Sequence, residues 1–254
     1  MFTSQDRERL RAELLAAAAE DPRLSGGAIT GSASVGKEDR WSDIDLGFGV
    51  SDPAQIPAVL ADWSARMYDR HGATHHVDVT SGAWIYRVFL LRSTLQVDLA
   101  FAPATDFGAR APTFKLVFGK AATLSHVVPQ SAESLIGYAW LYSLHVRSAI
   151  VRGKLWQAEY MLGNVRDHVL ALACVRFGLP AREGRGTDQL PAEVTKPLER
   201  SLVARLDPAE LQRAFGVAVD ALTSEARQVD SGVIERVGPV LEELVETSRT
   251  RLVP

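Results

Sequence analysis

The chain has 254 residues, 46% hydrophobic and 23% charged, with a formal net charge of −3; this globular composition, long enough for one large or two small domains, excludes a disordered or fibrous chain. The acidic balance disfavours nucleic acid as a partner, because a protein that grips many phosphates carries a basic surplus or stripe. The single cysteine, Cys174, sits in the apolar stretch 169–177; it excludes an internal disulfide, reads as a small core residue and fits a reducing cytoplasm.

The N-terminus reads as a helix over 5–20, rich in Ala, Leu and charges. Its apolar run 14–19 is short and follows acidic residues, unlike a signal peptide, and no stretch reaches the roughly 20 apolar residues of a membrane span. The expectation is a cytoplasmic protein with no membrane partner. Ser25-Gly26-Gly27 reads as a turn, 28–30 as a short strand and 31–41 as a loop. Ile44 to Val50 alternates with the period of a strand. Asp52-Pro53-Ala54-Gln55 starts a helix running to about residue 70, with Asp52 as cap and Pro53 in the first turn. Strands follow over 76–80, 84–91 and 96–101, the last two joined as a hairpin across Arg92-Ser93-Thr94.

Near Pro129 the pattern turns helical. Helices are expected over 132–152, 155–178, 191–204, 208–228 and 233–251, with a surface loop at 181–189 and Pro239 kinking or starting the last helix. The expected organisation is α+β: a small mixed β-sheet domain with helices over 1–128, followed by an all-α helical bundle domain over 129–254 that completes a substrate cleft.

Asp43 and Asp45 lie two apart on a strand, so both carboxylates face the same way while Ile44 and Leu46 face a core. Two adjacent carboxylates repel unless a cation sits between them, and oxygen-only ligands suit Mg²⁺. Gly31 and Ser32 follow the preceding strand. Glycine lets backbone approach a phosphate, and the serine hydroxyl and backbone N–H groups donate to it. Asp98, in Val97-Asp98-Leu99, supplies a third carboxylate from a neighbouring strand, with Asp78 as its rival. Taken singly, Asp43 also reads as a turn residue and Asp45 as a solvent-facing strand residue.

Gly31-Ser32, Asp43-Ile44-Asp45-Leu46 and Val97-Asp98-Leu99, in that order, resemble the nucleotidyltransferase superfamily of the DNA polymerase β type. The resemblance implies a nucleotidyltransferase-type sheet and two Mg²⁺ ions held by Asp43, Asp45 and Asp98. Gly31 and Ser32 would hold the triphosphate of ATP or another nucleoside triphosphate. A hydroxyl then attacks the α-phosphorus, pyrophosphate leaves, and the nucleoside monophosphate, AMP in the first instance, is transferred.

Residues 151–167 resemble more loosely the second domain of the aminoglycoside and lincosamide antibiotic nucleotidyltransferases. By that likeness Glu159 is a general base alongside Asp98, with the choice between them open, and Lys154 and Arg166 are candidate phosphate contacts; Lys37, in the loop after Ser32, is another. Glu159 reads equally as a salt-bridged helix residue, with Arg152 and Arg166 seven positions away on either side. Trp140, Trp156 and Tyr160 read as core aromatics before they read as stacking platforms. The expected partners are a nucleoside triphosphate and a small-molecule hydroxyl acceptor, with an antibiotic as the leading class. The competing readings are nucleotidylation of a protein or RNA, and nucleotide binding without catalysis. A homodimer is compatible with the sequence, which leaves the oligomeric state open.

Overall fold

The computed structural model describes residues 1–125 and 130–249. Two compact units divide the chain, Met1–Val127 and Val128–Pro254. The expected boundary at 128/129 and the expected end of the last helix at 251 lie outside the described residues.

The first unit is a six-stranded mixed sheet with helices, an α+β arrangement. Helix α1 (Ser4–Glu20) starts at a capping box in which Thr3 and Asp6 satisfy each other's backbone N–H groups. Strand β1 (Leu24–Thr30) leads into a single helical turn, α2 (Gly31–Ser34), and a loop returns the chain to β2 (Ile44–Val50). Asp52 caps the short turn that opens α3 (Ile56–Arg70). Strands β3 (Ala73–Ser81), β4 (Trp84–Leu91) and β5 (Gln96–Pro103) follow as antiparallel neighbours, and β6 (Phe114–Gly119) closes the far edge. The sheet order is β3-β4-β5-β2-β1-β6, with β2 parallel to β5 and the other pairs antiparallel.

Gly31–Ser34 form a helical turn within the segment expected as a loop, and two further features depart from the sequence expectation. Ser25-Gly26-Gly27 belongs to β1 and is no turn. The glycines serve close packing there: a Cβ on Gly27 would lie 2.2 Å from the Phe118 ring, and one on Gly26 would lie 2.8 Å from both the Lys120 carbonyl and Phe107. Strand β6 was not expected, although Phe-Lys-Leu-Val-Phe has strand propensity.

One sheet face carries Ile44, Leu46, Phe48, Val50, Phe89, Val97, Leu99 and Phe101, packed against Leu14 and Ala18 of α1 and Val59, Trp63 and Met67 of α3. Phe48 lies 5.3 Å from Trp63 and 5.5 Å from Phe101, ring centre to ring centre. The other face carries small residues, Ala28, Gly47, Gly49, Ala100 and Ala102, in line with Asp45 and Asp98.

The second unit is all helical: α4 (Ala132–Val151), α5 (Leu155–Arg176), α6 (Ala192–Glu199), α7 (Pro208–Val229) and α8 (Ser231–Ser248). Its core joins Val146, Ile150, Leu162, Val165, Leu211, Phe215, Leu222 and Leu241. The expected 191–204 helix ends at Glu199, and Pro239 lies inside α8, which begins at Ser231 under the Asp230 cap. Cys174 is buried, as expected. Trp140, Trp156 and Tyr160 are not core residues: they are 39%, 80% and 68% exposed. The apolar stripe of α5 runs through Ala158, Leu162, Val165 and Val169, and positions 156 and 160 fall on the opposite side of the turn.

Candidate carboxylate site

Asp43 immediately precedes β2, Asp45 is its second residue, and Asp98 is the third residue of β5. Because β2 and β5 run parallel with Asp45 opposite Asp98, the two carboxylates share one face. One carboxylate oxygen from each of Asp43, Asp45 and Asp98 lies within 4.8 Å of the others. All three side chains are half-buried. Burial, the larger effect, and the neighbouring Asp43 charge push the Asp98 carboxyl up to about 6, while a hydrogen bond from Gln96 pulls it the other way.

The rival Asp78 does not join them. It pairs with Arg87, its cross-strand partner, through two bonds of 2.7 and 2.6 Å, and this pairing holds its carboxyl below the usual range. Arg87 also donates to the Leu60 carbonyl and Ser64 of α3, so this pair lies on the helix-packed face of the sheet.

Gly31 adopts φ +62°, and a Cβ there would lie 2.0 Å from Asp45 Oδ2. Only glycine combines that backbone conformation with so close an approach to the carboxylate. Ser32 follows within the single turn of α2, where the Ser34 hydroxyl donates to the Gly31 carbonyl at 2.7 Å. Lys37 is exposed on the next loop, its backbone N–H donating to the Ser32 carbonyl.

Two positioning residues escaped the sequence reading. Gln96 Nε2 donates to Asp98 Oδ1 at 3.0 Å and to Asp43 Oδ2 at 3.4 Å, bridging two carboxylates. Its signal was legible: it stands two residues before Asp98 on the same strand. Arg7, buried in α1, donates to the carbonyls of Asp39 and Ser42 at 2.6 and 3.0 Å and pairs with Glu38, which Arg11 also holds. These bonds pin the loop that delivers Asp43. No local pattern announces a contact across more than 30 residues.

In the helical unit, Arg166 donates to Glu159 Oε1 at 2.8 Å and to the Ser201 carbonyl at 2.9 Å. The second carboxylate oxygen of Glu159 is buried without a hydrogen-bond partner.

The three carboxylate oxygens form a donor set for a hard cation. Mg²⁺ and Ca²⁺ take such oxygens, and Mg²⁺ also accepts phosphate oxygens from a substrate. No protein-family model matches the chain, and no curated protein matches it in sequence. Among solved structures it is similar to an aminoglycoside 6-adenyltransferase from Bacillus subtilis, at 14% identity and a TM-score of 0.42, over 96% of this chain and 99% of that one. The likeness is distant, and the reading of the site rests on the distances above. No helix among the described residues is long and apolar enough to cross a membrane.

Proposed function

We propose that this protein transfers a nucleoside monophosphate, AMP in the first instance, from a nucleoside triphosphate to a hydroxyl of a small-molecule acceptor. The observation that carries the reading is the convergence of Asp43, Asp45 and Asp98 on one sheet face, with Gly31 against Asp45. Partly buried carboxylates so close together repel, and a divalent cation relieves that repulsion. Asp43, Asp45 and Asp98 would hold Mg²⁺, which when bound neutralises phosphate charge and stabilises the attacking and leaving oxygens. Gly31 opens the backbone to the triphosphate, and Ser32 offers it a hydroxyl and an N–H. The acceptor oxygen forms its bond to the α-phosphorus as the bond to the pyrophosphate oxygen breaks. This chemistry depends mainly on positioning and charge. Asp98 and Glu159 are the two candidates for taking the hydroxyl proton.

The test is pyrophosphate release from ATP with Mg²⁺, across panels of aminoglycosides and lincosamides. Asp45→Asn should lower turnover by about 10²–10³-fold with the melting temperature nearly unchanged; retained turnover in that variant sinks the cation assignment. Lys37, Arg166 and Glu159 carry phosphate and base roles in this proposal through the resemblance alone. Glu159→Gln should lower kcat and leave ATP affinity unchanged. An unchanged kcat with a lower melting temperature returns Glu159 to its ion pair with Arg166.

A further inference from the structure

Beside the carboxylates, on the same face of the sheet, lies a cavity of about 160 Å³ lined by Thr30, Trp84, Tyr86, Ala100, Arg110 and Phe114 among others. Its position follows from the register. Ala100 stands two residues beyond Asp98, opposite Gly47 and Tyr86, and Thr30 ends β1 next to Gly31. Two strand residues span about 7 Å, so the cavity floor is one side-chain pair away from the carboxylates.

The walls are aromatic and held in place. Trp84 Nε1 donates to the Asp106 carbonyl at 3.1 Å, and the indole lies over Gly47, where a Cβ would come within 3.3 Å of it. Trp84 stacks on Tyr86 with ring centres 5.9 Å apart, and Phe107 bridges from Trp84 to Phe114 at 6.1 and 5.5 Å. Among the described lining residues the charged side chain is Arg110, which pairs with Asp106 at 3.7 Å; the charge of Arg110 also acts on the half-buried Tyr86 hydroxyl, against the stronger effect of burial.

The cavity opens to solvent on one side, so a planar ring can enter it edge first, and offset or edge-to-face stacking favours an aromatic occupant over an aliphatic one. A ring nitrogen, carbonyl or acidic substituent would meet the guanidinium and the Thr30 and Thr113 hydroxyls.

We infer that this cavity is a subsite for one planar aromatic ring, carried by a substrate of the carboxylate site: the nucleobase or a ring of the acceptor. The inference rests on the proposed function only in making the ring part of a substrate; the cavity itself takes a free ring. The probes are therefore adenosine and indole, which carry no phosphate, titrated separately into the isotopically labelled full chain. NMR shifts are read at Thr30, Tyr86 and Thr113. The expected result is a saturable shift at these residues with at least one probe. Ala100→Leu, which fills the floor, should weaken that binding at least tenfold while the melting temperature stays near that of the parent. Arg110→Gln, on an exposed loop, is the second variant should Ala100→Leu fail to fold, and should weaken adenosine several-fold. Adenosine shifts that saturating Mg·ATP displaces assign the ring to the nucleotide. Indole shifts that persist with Mg·ATP present assign it to the acceptor. Absence of shifts with both probes, or shifts unchanged in a folded Ala100→Leu or Arg110→Gln protein, overturns the inference. If rings bind but no nucleotidyl transfer is found, the subsite stands and the proposed reaction falls.

Discussion

The two faces of the same sheet are built from alternate residues of the same strands and do opposite work. On one, Ile44, Leu46, Phe48, Leu99 and Phe101 are fully buried under α1 and α3. On the other, the residues between them are Asp45, Gly47, Asp98 and Ala100, either charged or too small to fill space. Large apolar side chains on the first face supply the burial that holds the strands in place. Small ones on the second admit the Trp84 and Phe107 rings over Gly47, Gly49, Ala28 and Ala102, and only the end that carries Asp45 and Asp98 is left half-exposed. The difference shows how a two-residue period lets one strand pay for folding on one side and keep a site open on the other.

The strongest way to break the comparison is on the packed face. Phe101→Ala removes a fully buried ring between Phe48 and Trp63; denaturant unfolding should show a loss of about 3–5 kcal/mol. A loss below about 1 kcal/mol would mean that this face does not carry the stability. Next is Gly31→Ala, at the edge of the open face. A left-handed alanine costs about 1–2 kcal/mol, and its Cβ must displace the Asp45 carboxylate. Calorimetric Mg²⁺ and ATP binding should fall at least tenfold, well beyond what the stability change explains. Binding at the parental level would show that Asp45 can move without consequence.

The smallest effect sharpens the comparison from the other side. In the folded protein the Asp98 carboxyl titrates at about 6, against an ordinary 3.8. The folded chain therefore holds that proton more tightly than the unfolded chain, and it loses stability as pH rises through the interval from about 4 to 6. In Mg²⁺-free buffer above pH 6, Asp98→Asn should be more stable than the parent by about 1 kcal/mol, reduced from the full shift because the group is partly exposed to solvent. The advantage should vanish below about pH 4. A variant less stable than the parent at pH 7 would show that the Gln96 bond, and not the burial of the charge, dominates at Asp98.

Much of this was legible in the residues. Asp45 and Asp98 announced themselves by interrupting apolar strands, Asp43 by standing two residues before Asp45, and the strand 44–50 was readable end to end. Gln96 could have been found by the same period. Ser25-Gly26-Gly27 misled, because glycines that mark a turn by local chemistry here make room for Phe118 and Phe107 from other segments. Trp156 and Tyr160 misled in the opposite sense: apolar residues at helical spacing suggested a core, yet the buried stripe of α5 passes on the other side.

What the sequence determined by itself was the local alternation: which strand residues are apolar, which are carboxylates, and that Gly31-Ser32 precedes them. Periodicity is a property of neighbouring residues, so it survives without a fold. Only the tertiary structure decided that Asp98 and not Asp78 meets Asp43 and Asp45, because parallel pairing of β2 with β5 sets the register while Arg87 claims Asp78 on the other face. Only the fold placed Arg7 under the loop before Asp43, and Trp84, Tyr86 and Phe114 around one cavity. Those contacts join residues tens of positions apart, and their partners are chosen by strand order and packing, which no local pattern encodes.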